Sequence, residues 1–273
     1  MYSDINVDAA DNSNNSGGNV NCDSNEFVYP FDMIYAETKE HGIGYEGRLP
    51  WQGIAELSDV AKIDMKVFRE LTSGAAVIMG IKTALSLPKG YLPARINYIL
   101  TTKYKSIRGL DISADDLTRF GASKTQAEHM LLAIKSRAIV FAESIRELNA
   151  AYSTHPTTYL PEGQKIFVIG GENVYTQFKK FSTLNNIYVT IIYTEEVLPA
   201  DTYFTAANSC IGYYKRRVNS NLQFGIYSKN KSIRIDVGHY NAIINKYAGC
   251  EDVVIDIPSD YYNTKIDISM PKK

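Results

Sequence analysis

Cysteine is scarce in this chain: three residues in 273, odd in number and far apart at Cys22, Cys210 and Cys250. That spacing argues against a disulfide framework or a zinc ribbon. The four histidines (His41, His129, His155, His239) show no ligand spacing, so no metal site is expected. Long hydrophobic runs are missing too, which argues against a membrane span. Charge of one sign is also lacking: 29 basic residues against 30 acidic ones leave a net charge of −1. Such a balance gives no field to gather nucleic acid or anionic lipid. The first 25 residues have neither the basic start and apolar middle of a signal peptide nor an arginine-rich transit pattern. The expectation is a protein of the reducing cytoplasm.

What is present is a core's worth of apolar side chains, 45% of the chain. Residues 1–26, rich in Asn, Ser, Gly and Asp, have little to bury and read as a disordered polar tail. From residue 27 to 273 the pattern is that of one domain. "FVYPFDMIYA", "AAVIMG", "INYILTT", "AIVFA", "KIFVIGG" and "NIYVTIIY" are short apolar runs of the kind covered on both faces of a parallel sheet. Between them lie helical stretches: about 59–73, "IKTALSL", "SIRELNAAY" and "ENVYTQFKKF". This alternation predicts an α/β fold: a mainly parallel central sheet with helices on both faces. The last seventy residues read as strands without a helix, giving an antiparallel C-terminal edge. Residues 103–137 are polar and mixed, with one possible helix around "QAEHMLLAIKS".

One glycine pattern misleads. "GIGYEG" (Gly42, Gly44, Gly47) fits G-x-G-x-x-G, but "RLPWQG" follows, and Pro50 between glycines cannot open the helix that a pyrophosphate turn requires. Two strand-to-helix turns are better anion sites: Gly80 before Lys82 and Thr83, and Gly170-Gly171. Taken singly, each is also ordinary turn chemistry.

Three carboxylates follow the only tryptophan, Trp51: Glu56, Asp59 and Asp64. On a helical wheel Val60, Val67, Phe68 and Leu71 all fall within about 60° of Asp64. Lys62, Lys66, Arg69, Glu70 and Asp59 gather opposite. Asp64 is thus a lone acid on the apolar stripe, while Glu56 lies in or before the first turn, where it meets the helix dipole. A carboxylate placed there is kept either to meet a ligand or deliver a proton, or as an ion-paired or amide-bonded structural acid. The pattern alone leaves both readings open.

In order along the chain, "GIGYEGRLPW", "DMKVFRELTSG", "VIMGIKTALSLP", "LPARINYILTT", "IFVIGGENVYTQF", "IYVTIIY" and "ADTYF" resemble the motifs of the dihydrofolate reductase family. The resemblance spans about residues 28–102 and 138–206. It implies NADPH-dependent reduction of 7,8-dihydrofolate to tetrahydrofolate. Position by position, it implies a pterin-binding acid at Asp64, supported by Thr190, with Trp51 holding a water and Tyr175 beside the nicotinamide. Ile34, Ala36, Met65, Phe68 and Leu87 would line the substrate slots, Arg95 would pair with the substrate's α-carboxylate, and Ile169 would offer its carbonyl. Ile43, Gly44, Leu49, Gly80, Lys82, Thr83, Thr101, Thr102, Gly170, Gly171, Glu172, Val174 and Gln177 would hold NADPH. The family joins the two glycines by a cis peptide.

The chain also departs from the family. Thirteen positions separate Trp51 from Asp64, so an insertion near 52–60 stands beside the acid, and Glu56 lies nearer the family's spacing. Ile81 stands where many relatives have an arginine for the cofactor's 2′-phosphate. Residues 103–137 are a second insertion, and the segment from about 207 is an extension. These additions suggest contacts beyond a minimal reductase, and the alternative reading is a reductase fold recruited as a structural subunit. A weaker third is a related-fold reductase acting on a pyrimidine ribotide.

Overall fold

Phe31–Thr38 (β1) is buried almost throughout because both of its neighbours are strands and both sheet faces are covered. The computed structural model describes residues 25–103, 112–154, 164–206, 212–228 and 237–248. The expected polar tail therefore lies outside the described residues, apart from Asn25 and Glu26.

The strands are β1, Gly42–Gly44 (β2), Ala76–Gly80 (β3), Ile96–Leu100 (β4), Ile139–Ala142 (β5), Ile166–Gly170 (β6), Leu184–Ile192 (β7), Thr202–Tyr203 (β8), Gly212–Asn219 (β9) and Leu222–Ser228 (β10). Eight of them form one sheet in the order β5-β4-β3-β6-β1-β7-β10-β9. The first six run parallel, and β10 and β9 add an antiparallel edge. β2 and β8 make a separate small ribbon. The expected fold class is the observed one.

The helices are Ser58–Thr72 (α1), Ile81–Ser86 (α2), Ala114–Phe120 (α3), Lys124–Lys135 (α4), Ile145–Thr154 (α5), Glu172–Phe178 (α6) and Val237–Ala248 (α7). Two apolar layers sandwich the sheet. One gathers Trp51, Val60, Val67, Phe167, Phe224 and Ile244; the other gathers Phe31, Tyr98, Leu148, Val168 and Phe178.

Two helices depart from the sequence reading. Within 103–137 there are two rather than one. Ser113 and Asp116 close a capping box at the head of α3, and Gly121 ends that helix in the left-handed region. Ser123 and Gln126 cap α4 in the same way. The second departure corrects the expectation of a helix-free C-terminal segment. α7 lays Tyr240, Ile243 and Ile244 on the core, an i, i+3, i+4 face. Its Asn241 and Asn245 accept hydrogen bonds from Arg216, which is fully buried on β9. Its Lys246 and Tyr247 both reach Glu70 of α1.

Candidate active site

The carboxyl ends of the parallel strands open into one cavity of about 1840 Å³. Single small-molecule pockets run to roughly 1,000 Å³, so this one has room for two ligands side by side. It lies where open α/β sheets bind ligands, outside the strand ends.

Of the three acids, α1 turns only Asp64 inward. Asp64 is 7% exposed, while Glu56 and Asp59 are exposed and absent from the cavity wall. Glu56 sits in a single turn of 3-10 helix, Ala55–Leu57, and Asp59 pairs with Lys62 at 2.9 Å on the solvent side. The insertion thus ends in a short turn that feeds α1, with its acids facing water. Burial raises the Asp64 pKa to about 6, and a hydrogen bond from Thr190 of β7 opposes the rise. The ion-paired alternative lacks support: among the described residues no basic side chain acts on Asp64.

The loop before α1 is pinned rather than free-standing. Tyr45 and Arg48 exchange backbone hydrogen bonds at 2.8 and 2.9 Å, and the Glu46 N–H donates to Asp201 at 2.7 Å. Trp51, 2% exposed, plugs the inner end of this loop into the core beside Val60 and Val67 and also lines the cavity. "GIGYEG" is a short strand and a turn with no helix after it, as its proline requires.

Tyr175 of α6 is buried, and its hydroxyl donates to the Ile34 carbonyl of β1 at 2.8 Å. That bond fixes the ring over the β1–β6 junction. Burial first, then Tyr35 and Asp64, raise its pKa, so it stays a neutral donor. The two glycine turns stand side by side at the ends of the neighbouring strands β3 and β6. Gly170 has φ +137° and joins Gly171 by a cis peptide. A Cβ at Gly171 would stand 3.1 Å from the Thr83 hydroxyl of α2. Glycine allows that approach without displacing Thr83.

Ile34, Ala36, Ile43, Gly44, Leu49, Met65, Phe68, Gly80, Lys82, Thr83, Leu87, Thr101, Thr102, Ile169, Glu172, Val174, Gln177 and Thr190 all line the same cavity, together with Trp51, Asp64, Tyr175 and the glycine pair. Arg95 does not. Its guanidinium donates to the Thr72 hydroxyl, the Pro93 carbonyl and the Arg69 carbonyl at 3.0, 2.7 and 2.8 Å, closing the C-terminal end of α1. The structure gives Arg95 this capping task and does not bring it to the cavity wall.

Sequence reasoning missed Tyr188 and Tyr240. Both line the cavity, and their rings meet edge to face with centroids 5.4 Å apart. Burial and Tyr188 raise the Tyr240 pKa, and the Asp64 charge adds to the rise, so this C-terminal side chain belongs to the acid's surroundings.

Fold and cavity define a class: an α/β domain with a ligand cleft across its strand ends, lined by a buried acid of raised pKa and by paired glycine turns. Residues 30–155 match the family model described as dihydrofolate reductase. The chain is 24% identical over 216 residues to a bifunctional dihydrofolate reductase-thymidylate synthase of Paramecium tetraurelia, covering 79% of this chain and 35% of that protein. It is 27% identical over 184 residues to a dihydrofolate reductase of Aedes albopictus, covering 66% and 81% respectively. A dihydrofolate reductase type 9 of Escherichia coli is 24% identical over 159 residues, 58% of this chain and 68% of that protein. The chain spans about a third or less of the length of the bifunctional relatives. Its residues 30–155 are thus similar to the dihydrofolate reductase family.

Proposed function

We propose that the chain reduces 7,8-dihydrofolate to 5,6,7,8-tetrahydrofolate with NADPH as the hydride donor. The single observation that carries this reading is Asp64: an acid buried without a cation among the described residues, on the wall of a cavity large enough for two ligands. A carboxyl group in that setting keeps its proton up to about pH 6 and gives a flat, polar ring a partner for its amino group and ring nitrogen. Thr190 orients the carboxyl by its hydrogen bond. Met65 and Phe68 flank the acid on α1, and Leu87 and Ile34 offer apolar walls on which the rest of a pterin-benzoyl ligand packs.

The residues present also fit the dinucleotide. Gly80, Gly170 and Gly171 expose backbone between α2 and α6, and the hydroxyls of Thr83, Thr101 and Thr102 with Lys82 supply donors along the strand ends. The nicotinamide, when bound, supplies the hydride. Tyr175, tied to Ile34, stiffens the wall against which the reacting rings meet. Trp51 and the pinned loop cover the acid and limit water around it. A purely structural role fits less well, because an assembly subunit has no need of a buried acid in an intact cleft.

The test is chemical. Cofactor deuterated at nicotinamide C4 is incubated with dihydrofolate and the purified chain, and the product is examined by mass spectrometry and NMR. Deuterium at pterin C6 is the expected result; dihydrofolate recovered unchanged from a folded, dinucleotide-binding protein would sink the proposal.

A further inference from the structure

The end of the cleft remote from Asp64 carries charges that the reaction does not use. Along the sheet, Thr190 of β7 and the Tyr175–Ile34 bond over β1 mark the reacting end, and the glycine turns follow β6 and β3. The next two strands outward are β4 and β5. A dinucleotide with its nicotinamide beside Tyr175 and its pyrophosphate at the turns has the ends of β4 and β5 left for its adenosine half.

That corner consists of Thr101, Thr102 and Lys103 after β4, and of Glu143 and Ser144 after β5, all on the cavity wall. The two strand ends are locked together by the Thr101 N–H, which donates to the Ala142 carbonyl at 2.9 Å. Glu143 is half-buried, and its N–H donates to the Glu147 carboxylate at 2.7 Å. A second acid therefore stands one hydrogen bond behind the first. Across the cleft α2 opens with apolar Ile81, followed by Lys82. The Lys103 ammonium leans toward the Phe120 carbonyl of α3, 3.4 Å away. Among the described residues no arginine lines the cavity at this end, and its two lysines, Lys82 and Lys103, share the wall with Glu143.

These charges bear on one chemical choice. A 2′-phosphate brings about −1.5 to −2 charges into the corner, where a carboxylate repels it. An unphosphorylated ribose brings hydroxyl donors, which a carboxylate accepts. We infer that Glu143 is a specificity-determining residue at the adenosine corner, and that it levels the preference between the two dinucleotides so that NADH serves alongside NADPH. The inference rests on the proposed reductase reading and sharpens its cofactor half.

Equilibrium binding tests it without turnover. The full chain is titrated with NADPH and with NADH by calorimetry, with quenching of Trp51, the only tryptophan, as a second readout. The expected result is that NADPH binds no more than about threefold tighter than NADH, and that Glu143→Arg tightens NADPH at least about tenfold while NADH changes little or weakens. Glu143→Gln, nearly the same shape, gives a smaller shift in the same direction. Wild-type preference for NADPH above about tenfold would overturn the inference and leave the reductase reading standing. So would a ratio that neither substitution moves. Binding of neither dinucleotide would overturn the reading and the inference with it.

Discussion

Replacing Asp64 by asparagine should make the protein more stable and less active at once. The folded-state pKa of about 6 stands against an ordinary value of 3.8, a difference of about 2 units. The sign follows from the raised value: between pH 3.8 and 6 the folded chain keeps a proton that the unfolded chain has released, so stability falls as pH rises through that window. At about 1.4 kcal/mol per unit, the ionised carboxylate costs the fold about 3 kcal/mol at pH 8, and nothing below about pH 4. An amide of the same shape escapes this cost and still accepts the hydrogen bond from Thr190. Urea unfolding of wild type and Asp64→Asn, followed by circular dichroism from pH 4 to pH 8, isolates the effect, because every other titrating group cancels in the difference. The variant should match wild type near pH 4 and gain stability progressively to a plateau above pH 6 to 7. A difference that stays flat with pH, or a variant that is less stable at pH 8, would refute the claim that Asp64 is held in a water-poor pocket without a cation.

Tyr240→Ala should destabilise the fold by about 3–5 kcal/mol, since a fully packed ring is lost, and should raise KM for dihydrofolate by opening the cavity wall. A variant that unfolds at the wild-type urea concentration would remove α7 from the core. Gln126→Ala breaks hydrogen bonds to the Leu85 and Leu87 carbonyls at 2.9 and 2.8 Å, and should cost about 1–3 kcal/mol by thermal or urea melts. No measurable loss would mean that the inserted helix α4 does not support the Leu87 side of the cleft. Glu37→Gln addresses a second buried acid, whose pKa burial raises to about 7 against the pull of His41 at 3.0 Å. Its folded value is raised as well, so wild type should lose stability between pH 4.5 and 7, and the variant's gain should appear only across that window.

The strands and the glycine turns were legible because their signals are local. Apolar runs such as "AVIMG" and "IFVIG" are long enough for a strand and too short for a helix, and glycine ends each. Asp64 was legible because the wheel compares it with its own helix neighbours. Arg95, named through the resemblance, shows the limit of motif matching: a motif does not tell whether a guanidinium turns toward a cleft or toward helix carbonyls. α7 shows another limit. Tyr240, Ile243, Ile244 and Tyr247 do stand at helical spacing, but the polar Asn241 and Asn245 beside them face the buried Arg216 rather than water. Tertiary hydrogen bonding of that kind hides the polar side that a surface helix displays. For α3, the Ser113–Asp116 capping box was a readable start signal in a segment too polar to suggest a helix by periodicity.

The central claim is that Asp64, rather than the nearer Glu56, is the acid of the site. The measurement that tests it most directly is kcat/KM for dihydrofolate, with NADPH oxidation followed from pH 5 to pH 9, for wild type, Asp64→Asn and Glu56→Gln. Wild type should decline as pH rises through about 6, as the carboxyl group loses its proton. Glu56→Gln should reproduce that profile within about twofold, whereas Asp64→Asn should fall by about 10²–10⁴ and lose the limb near pH 6. An inactive Glu56→Gln beside an active Asp64→Asn would contradict the account.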